Sequence, residues 1–340
     1  MARKEKVCEK GGRDIFVFSI ENARGARLKA TNYGASVMSL EIPDAQGNRE
    51  DMVLGFSTPQ EYFGDHPFLG ATVGRYANRI AGGRFVLDGK TIEIPCNENG
   101  VNLLHGGSHS FDRGIWTGET DKNTLVLFYD SPDGEDGFPG HVEVRMEITL
   151  TDDNTMRLAY AAHTDEATVL NLTNHSYFNI RGGGQVGEHI VQIDADYYTP
   201  VDKNLIPTGE IAPVAGTPLD FTSPHAIGKR IDADDIQMKR CGGYDHNFAV
   251  RGSGFRRAAR VEDPQSGRIM EVYTDKPGMQ FYTANNMPPI RGKNNALYTA
   301  RSAYCFETQF YPDGMNHPEF PPCILRPGQE YRFATEYRFL

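Results

Sequence analysis

Four short segments hold the side chains best suited to chemistry: Asn102-Leu103-Leu104-His105-Gly106-Gly107, Thr173-Asn174-His175-Ser176-Tyr177-Phe178-Asn179, Gly243-Tyr244-Asp245-His246-Asn247-Phe248 and Phe306-Glu307-Thr308-Gln309-Phe310-Tyr311. Each sets an imidazole or a carboxylate among aromatic and amide groups. Aromatic faces cover the C–H surface of a sugar ring, amides and carboxylates bind its hydroxyls, and a histidine with a glutamate can move protons near neutral pH. Taken singly, the residues favour plainer readings. Glu307 in a strand reads as an ion-paired acid at a sheet edge, because charged strand residues usually face solvent. His175 alone reads as a satisfied structural histidine. The glycines after His105 serve a turn as readily as a close approach of backbone to ligand.

Further segments change that balance when read in order. They are Gly74-Arg75-Tyr76-Ala77-Asn78-Arg79-Ile80, Asp133-Gly134-Glu135-Asp136-Gly137-Phe138-Pro139-Gly140, Thr199-Pro200-Val201-Asp202 through Ile206-Pro207-Thr208-Gly209, Pro277-Gly278-Met279-Gln280-Phe281-Tyr282-Thr283 and Leu325-Arg326-Pro327-Gly328. With the first four they make the chain resemble the aldose 1-epimerases, the galactose mutarotases, over nearly its whole length. Residues 1–15, 221–240 and 251–260 carry nothing specific to that family.

The resemblance implies interconversion of the α and β anomers of free aldohexoses, galactose and glucose, with Glu307 as general base and His175 as general acid. It places His105 against the sugar near the reacting oxygens, and Asn78 and Arg79 on hydroxyls and ring oxygen. Asp245 accepts hydrogen bonds from hydroxyls, and Gln280 is a better ligand candidate than Tyr282. Reference pKa values of about 4.3 for glutamate and 6.5 for histidine make Glu307 ionised and leave His175 able to supply a proton near neutrality. Neither a metal nor an organic cofactor is needed.

Other chemistries fit the residues less well. His105 and His109 have a spacing seen in zinc sites, but the two glycines between them leave the geometry loose and no third ligand is evident. Asp133 to Gly137 lacks the twelve-residue pattern of a calcium loop and reads as a surface or lid loop. Gly182-Gly183-Gly184 does not open a helix after a strand, as phosphate-binding loops do. A glycosidase normally pairs two carboxylates, whereas here a histidine fills the acid role. A non-catalytic sugar-binding protein need not keep Glu307 and His175 together. A hexose-6-phosphate 1-epimerase needs a basic pocket, for which Arg75, Arg181 and Lys203 are the candidates. The preferred aldose and the choice between monomer and homodimer stay open.

The elements that must position these residues are strands. In His141 to Leu150, the apolar Val142, Val144, Met146, Ile148 and Leu150 alternate with polar residues; Asp152-Asp153-Asn154 supplies a turn, and Met156, Leu158 and Tyr160 resume the alternation. Phe85-Val86-Leu87 and Lys90 to Ile94 flank Asp88-Gly89, which suits a type I′ hairpin turn. Further strands are predicted at 124–129, 188–193, 268–273 and 331–339. Helices are few: Thr58-Pro59-Gln60-Glu61 has a capping-box pattern, and Ser223-Pro224 is placed to start another helical turn. Together with 36 glycines and 20 prolines as punctuation, this predicts an all-β fold, one large antiparallel β-sandwich domain over residues 1–340. The resemblance implies the same architecture, the galactose mutarotase-like supersandwich.

Composition sets the setting. The chain has 340 residues, 39% hydrophobic and 24% charged, and its 35 Lys+Arg against 45 Asp+Glu give a net charge of −10. Nucleic acid and anionic membrane are therefore poor partners, and a small-molecule sugar is the expected one. No apolar stretch of signal-peptide or membrane-spanning length appears, so the expected location is the cytosol. Five scattered cysteines, Cys8, Cys96, Cys241, Cys305 and Cys323, read as reduced packing residues. Asn171-Leu172-Thr173 and Asn174-His175-Ser176 match the glycosylation sequon, which carries no meaning without secretion.

Overall fold

The strongest alternation in the sequence becomes the centre of the largest sheet. Val142–Leu150 and Thr155–Thr164 pair antiparallel with Leu150 opposite Met156, and the five apolar residues of the first strand are all buried. The computed structural model describes residues 2–44 and 46–340; Met1, the first residue of the unmatched 1–15 segment, lies outside them. The sheet has nine strands in the order Thr117–Asp121, Thr124–Ser131, Val142–Leu150, Thr155–Thr164, Tyr331–Phe339, Ile269–Thr274, Arg256–Glu262, Ile190–Ile193 and His225–Ala226, every neighbouring pair antiparallel. The C-terminal strand thus lies at its middle, joining Thr155–Thr164 to Ile269–Thr274.

Two five-stranded sheets cover the inner face of this sheet. One is a meander of Arg3–Lys10, Arg13–Glu21, Arg27–Thr31, Ser36–Pro43 and Arg49–Asp51; the other runs Ala212–Pro213, Tyr197–Thr199, Asp245–Ala249, Gly278–Tyr282 and Cys305–Gln309. A single apolar cluster joins Phe18, Leu28 and Val37 of the first, Met146, Leu158 and Tyr337 of the nine-stranded sheet, and Phe248, Met279, Phe281 and Phe306 of the second. This is the expected all-β sandwich. No helix among the described residues is long and apolar enough to cross a membrane.

Local signals resolve as sterics require. The hairpin Arg84–Leu87/Lys90–Glu93 turns at Asp88 (φ 50°) and Gly89 (φ 78°), both left-handed as a type I′ turn demands. Pro59–Phe63 is a 3₁₀ helix whose Glu61 carboxylate accepts from the Thr58 N–H at 2.9 Å and its hydroxyl at 2.8 Å. Ser223-Pro224 starts no helical turn. His225–Ala226 is instead drawn into the sheet edge against Ile190–Val191, and the helical turn begins only at Ile227. The α-helix Ile236–Cys241 was not legible. Six residues are too few to show a period, and only its Asp235 N-cap and Gly242 C-cap (φ 66°) mark it.

The apolar underside of the second five-stranded sheet should carry much of the stability. Phe281 stacks on Phe306 at 5.1 Å and on Tyr244 at 5.4 Å, fully buried. Truncating Phe281 to Ala is expected to remove about 3–5 kcal/mol in urea unfolding, while Val86→Ala, at 57% exposed, stays within about 0.5 kcal/mol. Equal losses at the two positions would overturn this placement of the core.

Candidate active site

Strand periodicity gives the second five-stranded sheet two unlike faces. Met279, Phe281 and Phe306 point into the core, so the residues between them point the other way. Register then aligns the polar set: Asn247 opposes Gln280, Gln280 opposes Glu307, and Asp245 and Cys305 oppose Tyr282 from either side. Asp245, Gln280 and Glu307 therefore share one face of three adjacent strands. Gly278 has no freedom for a side chain, since a Cβ there would lie 2.5 Å from Asn247 Oδ1.

Two histidines reach this face from distant loops. His175 follows the strand Thr173–Asn174, and its N–H donates to the Ala71 carbonyl at 2.8 Å while its own carbonyl accepts from the Gly70 N–H at 3.0 Å. Its ring lies against Tyr177 (4.8 Å, 29°) and Phe68 (5.9 Å, 26°). His105 follows the strand Asn102–Leu104, which pairs with Arg79–Ala81. His105 and Asn78 bind each other reciprocally: His105 N–H donates to the Asn78 carbonyl at 2.9 Å, and Asn78 N–H to His105 Nδ1 at 3.1 Å. Both sit at positive φ, 51° and 64°, where Asn and His are among the better-tolerated residues. Gly106 is required here, because a Cβ would meet the Gly74 carbonyl oxygen at 1.9 Å.

These arrangements bring His105, His175 and Glu307 together, with one donor or acceptor atom of each within 4.8 Å of the others. Glu307 is 2% exposed, His175 4% and His105 6%. His175 Nε2 lies 3.7 Å from Glu307 Oε1, too far for a hydrogen bond, and Glu307 Oε2 has no partner among the described residues. A buried carboxyl left this way demands an explanation. The gap between Oε1 and Nε2 suits two oxygens of one ligand.

Burial reverses the expected ionisation of the pair. It pushes the Glu307 carboxyl well above the ordinary glutamate range, with the neighbouring Asp245 adding to the rise and Arg79 opposing it. It lowers the His175 imidazole to about 4, helped by His66. In the ligand-free site burial therefore favours the neutral pair, carboxylic acid beside neutral imidazole, over the ionised Glu307 and protonated His175 that the reference values imply. His105 is also driven well below its usual value, chiefly by burial, with the neighbouring His175 and Arg79 adding to the fall. Since its Nδ1 accepts from Asn78, the neutral ring carries its proton on Nε2 and is a donor there.

The remaining candidates line the same face. Gln280 Nε2 donates to Asp245 Oδ1 at 2.6 Å, leaving Oδ2 with no hydrogen bond among the described residues. Burial raises the Asp245 pKa, while Arg79 and the Gln280 bond pull it down. Asn78 Oδ1 accepts from the Arg79 N–H at 2.9 Å, which leaves its amide nitrogen as the open end. Arg79 pairs with Glu98 at 2.6 Å. Sequence reasoning missed Glu98, Phe68 and the Cys305 sulfur 3.5 Å from His175 Nδ1; nothing in the spacing of these residues links them to the site.

Rejected chemistries gain physical reasons. His109 is exposed and bonded to Asp136, so it does not join His105. The three-residue cluster is a poor metal site, because His105 would have to give up the Nε2 proton that its Asn78 bond enforces. The acids of the 133–140 loop serve the protein itself: Asp136 accepts from the Ser108 and His109 N–H groups, Glu135 from the Tyr129 hydroxyl and Asp133 from Gly140 N–H. Arg75, Arg181 and Lys203 do not converge. Arg75 is buried and spent on Ser131, Pro132 and Pro139, Arg181 pairs with Asp263 and Glu188, and Lys203 is exposed. Both sequon asparagines are buried, which closes them to glycosylation. A cleft of about 720 Å³ bounded by Arg13, Phe128, Glu143, Arg145, His163 and Arg332 contains none of the site residues.

Comparison with known proteins identifies the family. The family model described as aldose 1-epimerase matches residues 17–338, and the chain belongs to the aldose 1-epimerase family, isomerases acting on aldoses. Among its relatives, the galactose mutarotase of Homo sapiens is 43% identical over 333 residues, 97% of this chain and 95% of that protein. The aldose 1-epimerase of Escherichia coli (strain K12) is 38% identical over 335 residues, 97% of this chain and 96% of that one. The crystal structure of galactose 1-epimerase from Lactobacillus acidophilus superposes with a TM-score of 0.89 at 28% identity, covering 100% of this chain and 98% of that chain.

The shifted pair fixes the order of the pH limbs. Below the lower limb the pair holds two protons and cannot accept another; above the upper limb it holds none and cannot donate. With the imidazole lowered to about 4 and the carboxyl raised, the acid limb reports His175 and the basic limb Glu307. Nitrogen-15 NMR of the free enzyme at about pH 5.5 is expected to find a neutral His175 ring, whereas a ring with the reference pKa would be mostly imidazolium. An imidazolium there, titrating near the reference value of about 6.5, would refute the assignment.

Proposed function

We propose that the protein interconverts the α and β anomers of free aldohexoses, galactose and glucose, using Glu307 and His175 as the proton-transfer pair. The observation that carries this reading is their separation: two buried proton carriers 3.7 Å apart, with Glu307 Oε2 left without a partner among the described residues. The two oxygens on an anomeric carbon are the closest oxygen pair a sugar presents. Glu307, as carboxylate, takes the proton of the C1 hydroxyl; the C1–O1 bond becomes a carbonyl, the bond from C1 to the ring oxygen breaks, and His175 gives its Nε2 proton to that oxygen. Rotation about C1–C2 turns the aldehyde over. The ring oxygen then attacks the other face, returning its proton to His175 while O1 takes the proton from Glu307. Atoms and charges balance, and the pair ends as it began.

The surrounding groups fit supporting roles. His105 Nε2–H and the Arg79 guanidinium are donors available to oxygen as negative charge builds on it. Asp245 Oδ2, the open N–H of Gln280 and the Asn78 amide are available to hydroxyls, holding the sugar while C1 turns. Five free thiols and the acidic net charge support a cytosolic protein that meets neither nucleic acid nor membrane. The shared apolar cluster supports residues 1–340 as a single domain.

Polarimetry of freshly dissolved α-galactose and α-glucose, corrected for spontaneous mutarotation, tests the reading. Rotation is expected to decay faster with enzyme, and equally fast after treatment with a chelator. Glu307→Gln should lower kcat roughly 10²–10⁴-fold with sugar still bound, and His175→Asn likewise. Asp245→Asn and Gln280→Ala should mainly raise KM, since they hold hydroxyls in ground and transition states alike. A correctly folded Glu307→Gln enzyme with near wild-type kcat would sink the assignment of the base.

A further inference from the structure

Arg79 does not stand alone at the edge of the site. Its Nε donates to both oxygens of Glu98, at 2.9 and 3.1 Å, and its Nη2 donates to Oε1 at 2.6 Å. Asn102, the unassigned head of the His105 motif, adds a 3.3 Å bond from its side-chain amide to Glu98 Oε2. The backbone locks the same corner, Glu98 N–H donating to the Asn102 carbonyl at 3.0 Å and Val101 N–H to the Glu98 carbonyl at 2.9 Å. The paired side chains are only 11% and 20% exposed. A two-point guanidinium–carboxylate pair in such surroundings fixes orientation as well as charge.

We propose that Glu98 is a positioning residue for the sugar site, holding the Arg79 fork so that Nη1 is the nitrogen left for substrate oxygen, and offsetting the Arg79 charge felt by the proton-transfer pair. The inference rests on Arg79 touching the sugar. Nη1 is the one guanidinium nitrogen with no acceptor among the described residues. The ionisable groups near Arg79 are Glu98, Asp245, Glu307, His105 and Cys241. Without the Glu98 charge, Arg79 would act on Asp245 and Glu307 uncompensated. Every neighbouring group would then release its proton more readily.

The test is a cycle of Glu98→Gln, Arg79→Met and the double variant, each checked by circular dichroism and thermal melting, with mutarotation of galactose followed against pH. Glu98→Gln keeps size and one acceptor, and is expected to lower kcat/KM roughly ten- to a hundredfold. Both limbs of the pH profile should move to lower pH. In the Arg79→Met background the same change should cost nothing or recover activity, because there it removes a partly buried charge that has lost its partner. A merely structural lesion would lower activity in both backgrounds and leave the limbs in place. Glu98→Gln with wild-type kcat/KM and limbs, beside an impaired Arg79→Met, overturns the role of Glu98 alone. An unimpaired Arg79→Met removes Arg79 from the sugar, and the inference falls with it.

Discussion

The buried carboxyl of Glu307, on the edge strand of the second five-stranded sheet and with no partner for its Oε2 among the described residues, is the constraint around which this molecule is arranged. Breaking a buried charge pair by removing one member typically costs 3–5 kcal/mol, and a buried group escapes most of that by staying neutral. Glu307 does so by keeping its proton. Its strand is held firmly, because Gln280 opposes Glu307 across the ladder and Phe306 is clamped beneath by Phe281 and by the Tyr337 hydroxyl, which donates to the Phe306 carbonyl at 2.8 Å. The core that stabilises the sheet is therefore also what keeps the carboxyl where only a ligand can satisfy it.

The same division of labour recurs in the loops. His175, His105 and Asn78 lie far from Glu307 in sequence, and each is fixed by hydrogen bonds to backbone groups that leave the atom meant for substrate open. The Asn78–His105 pair spends Nδ1 on structure and leaves Nε2–H for substrate; the Ala71 and Gly70 bonds hold His175 through its main chain. Such support leaves side-chain atoms open at the centre without loosening them.

How much of this the sequence revealed depended on the range of the interaction. Period-two patterns are local, so the hairpins from Val142 to Thr164 and from Arg84 to Glu93 were legible residue by residue, as was the terminal strand Tyr331–Phe339. Family motifs singled out the seven residues that the structure sets around the polar face of the second five-stranded sheet. Glu98 and Phe68 escaped because their roles are created by contacts across the fold, and neither carries a local pattern. The helix Ile236–Cys241 escaped because it spans less than two turns, too short for a period to repeat. The ionisation order of Glu307 and His175 was misjudged because reference pKa values describe solvated groups, and desolvation exists only once the sheets have closed.

That reversed order bears directly on catalysis. The arrangement that opens the ring, carboxylate beside imidazolium, is the one that burial disfavours; the arrangement that follows opening, carboxylic acid beside neutral imidazole, is the one that burial favours. Each unit by which the environment separates the two pKa values is worth about 1.4 kcal/mol towards the neutral pair. Ring opening of an aldose runs uphill, towards an aldehyde that closes again readily. In this site ring opening returns the pair to the neutral arrangement in which it rests, so the cost of burial falls on reaching the charged pair before the bond to the ring oxygen breaks. A solvated pair would reach that arrangement at little cost. The depth at which Glu307 and His175 are buried thus sets how seldom the reactive arrangement forms in the free enzyme, and hydrogen bonds from the sugar and from the donors around it are what can offset that cost.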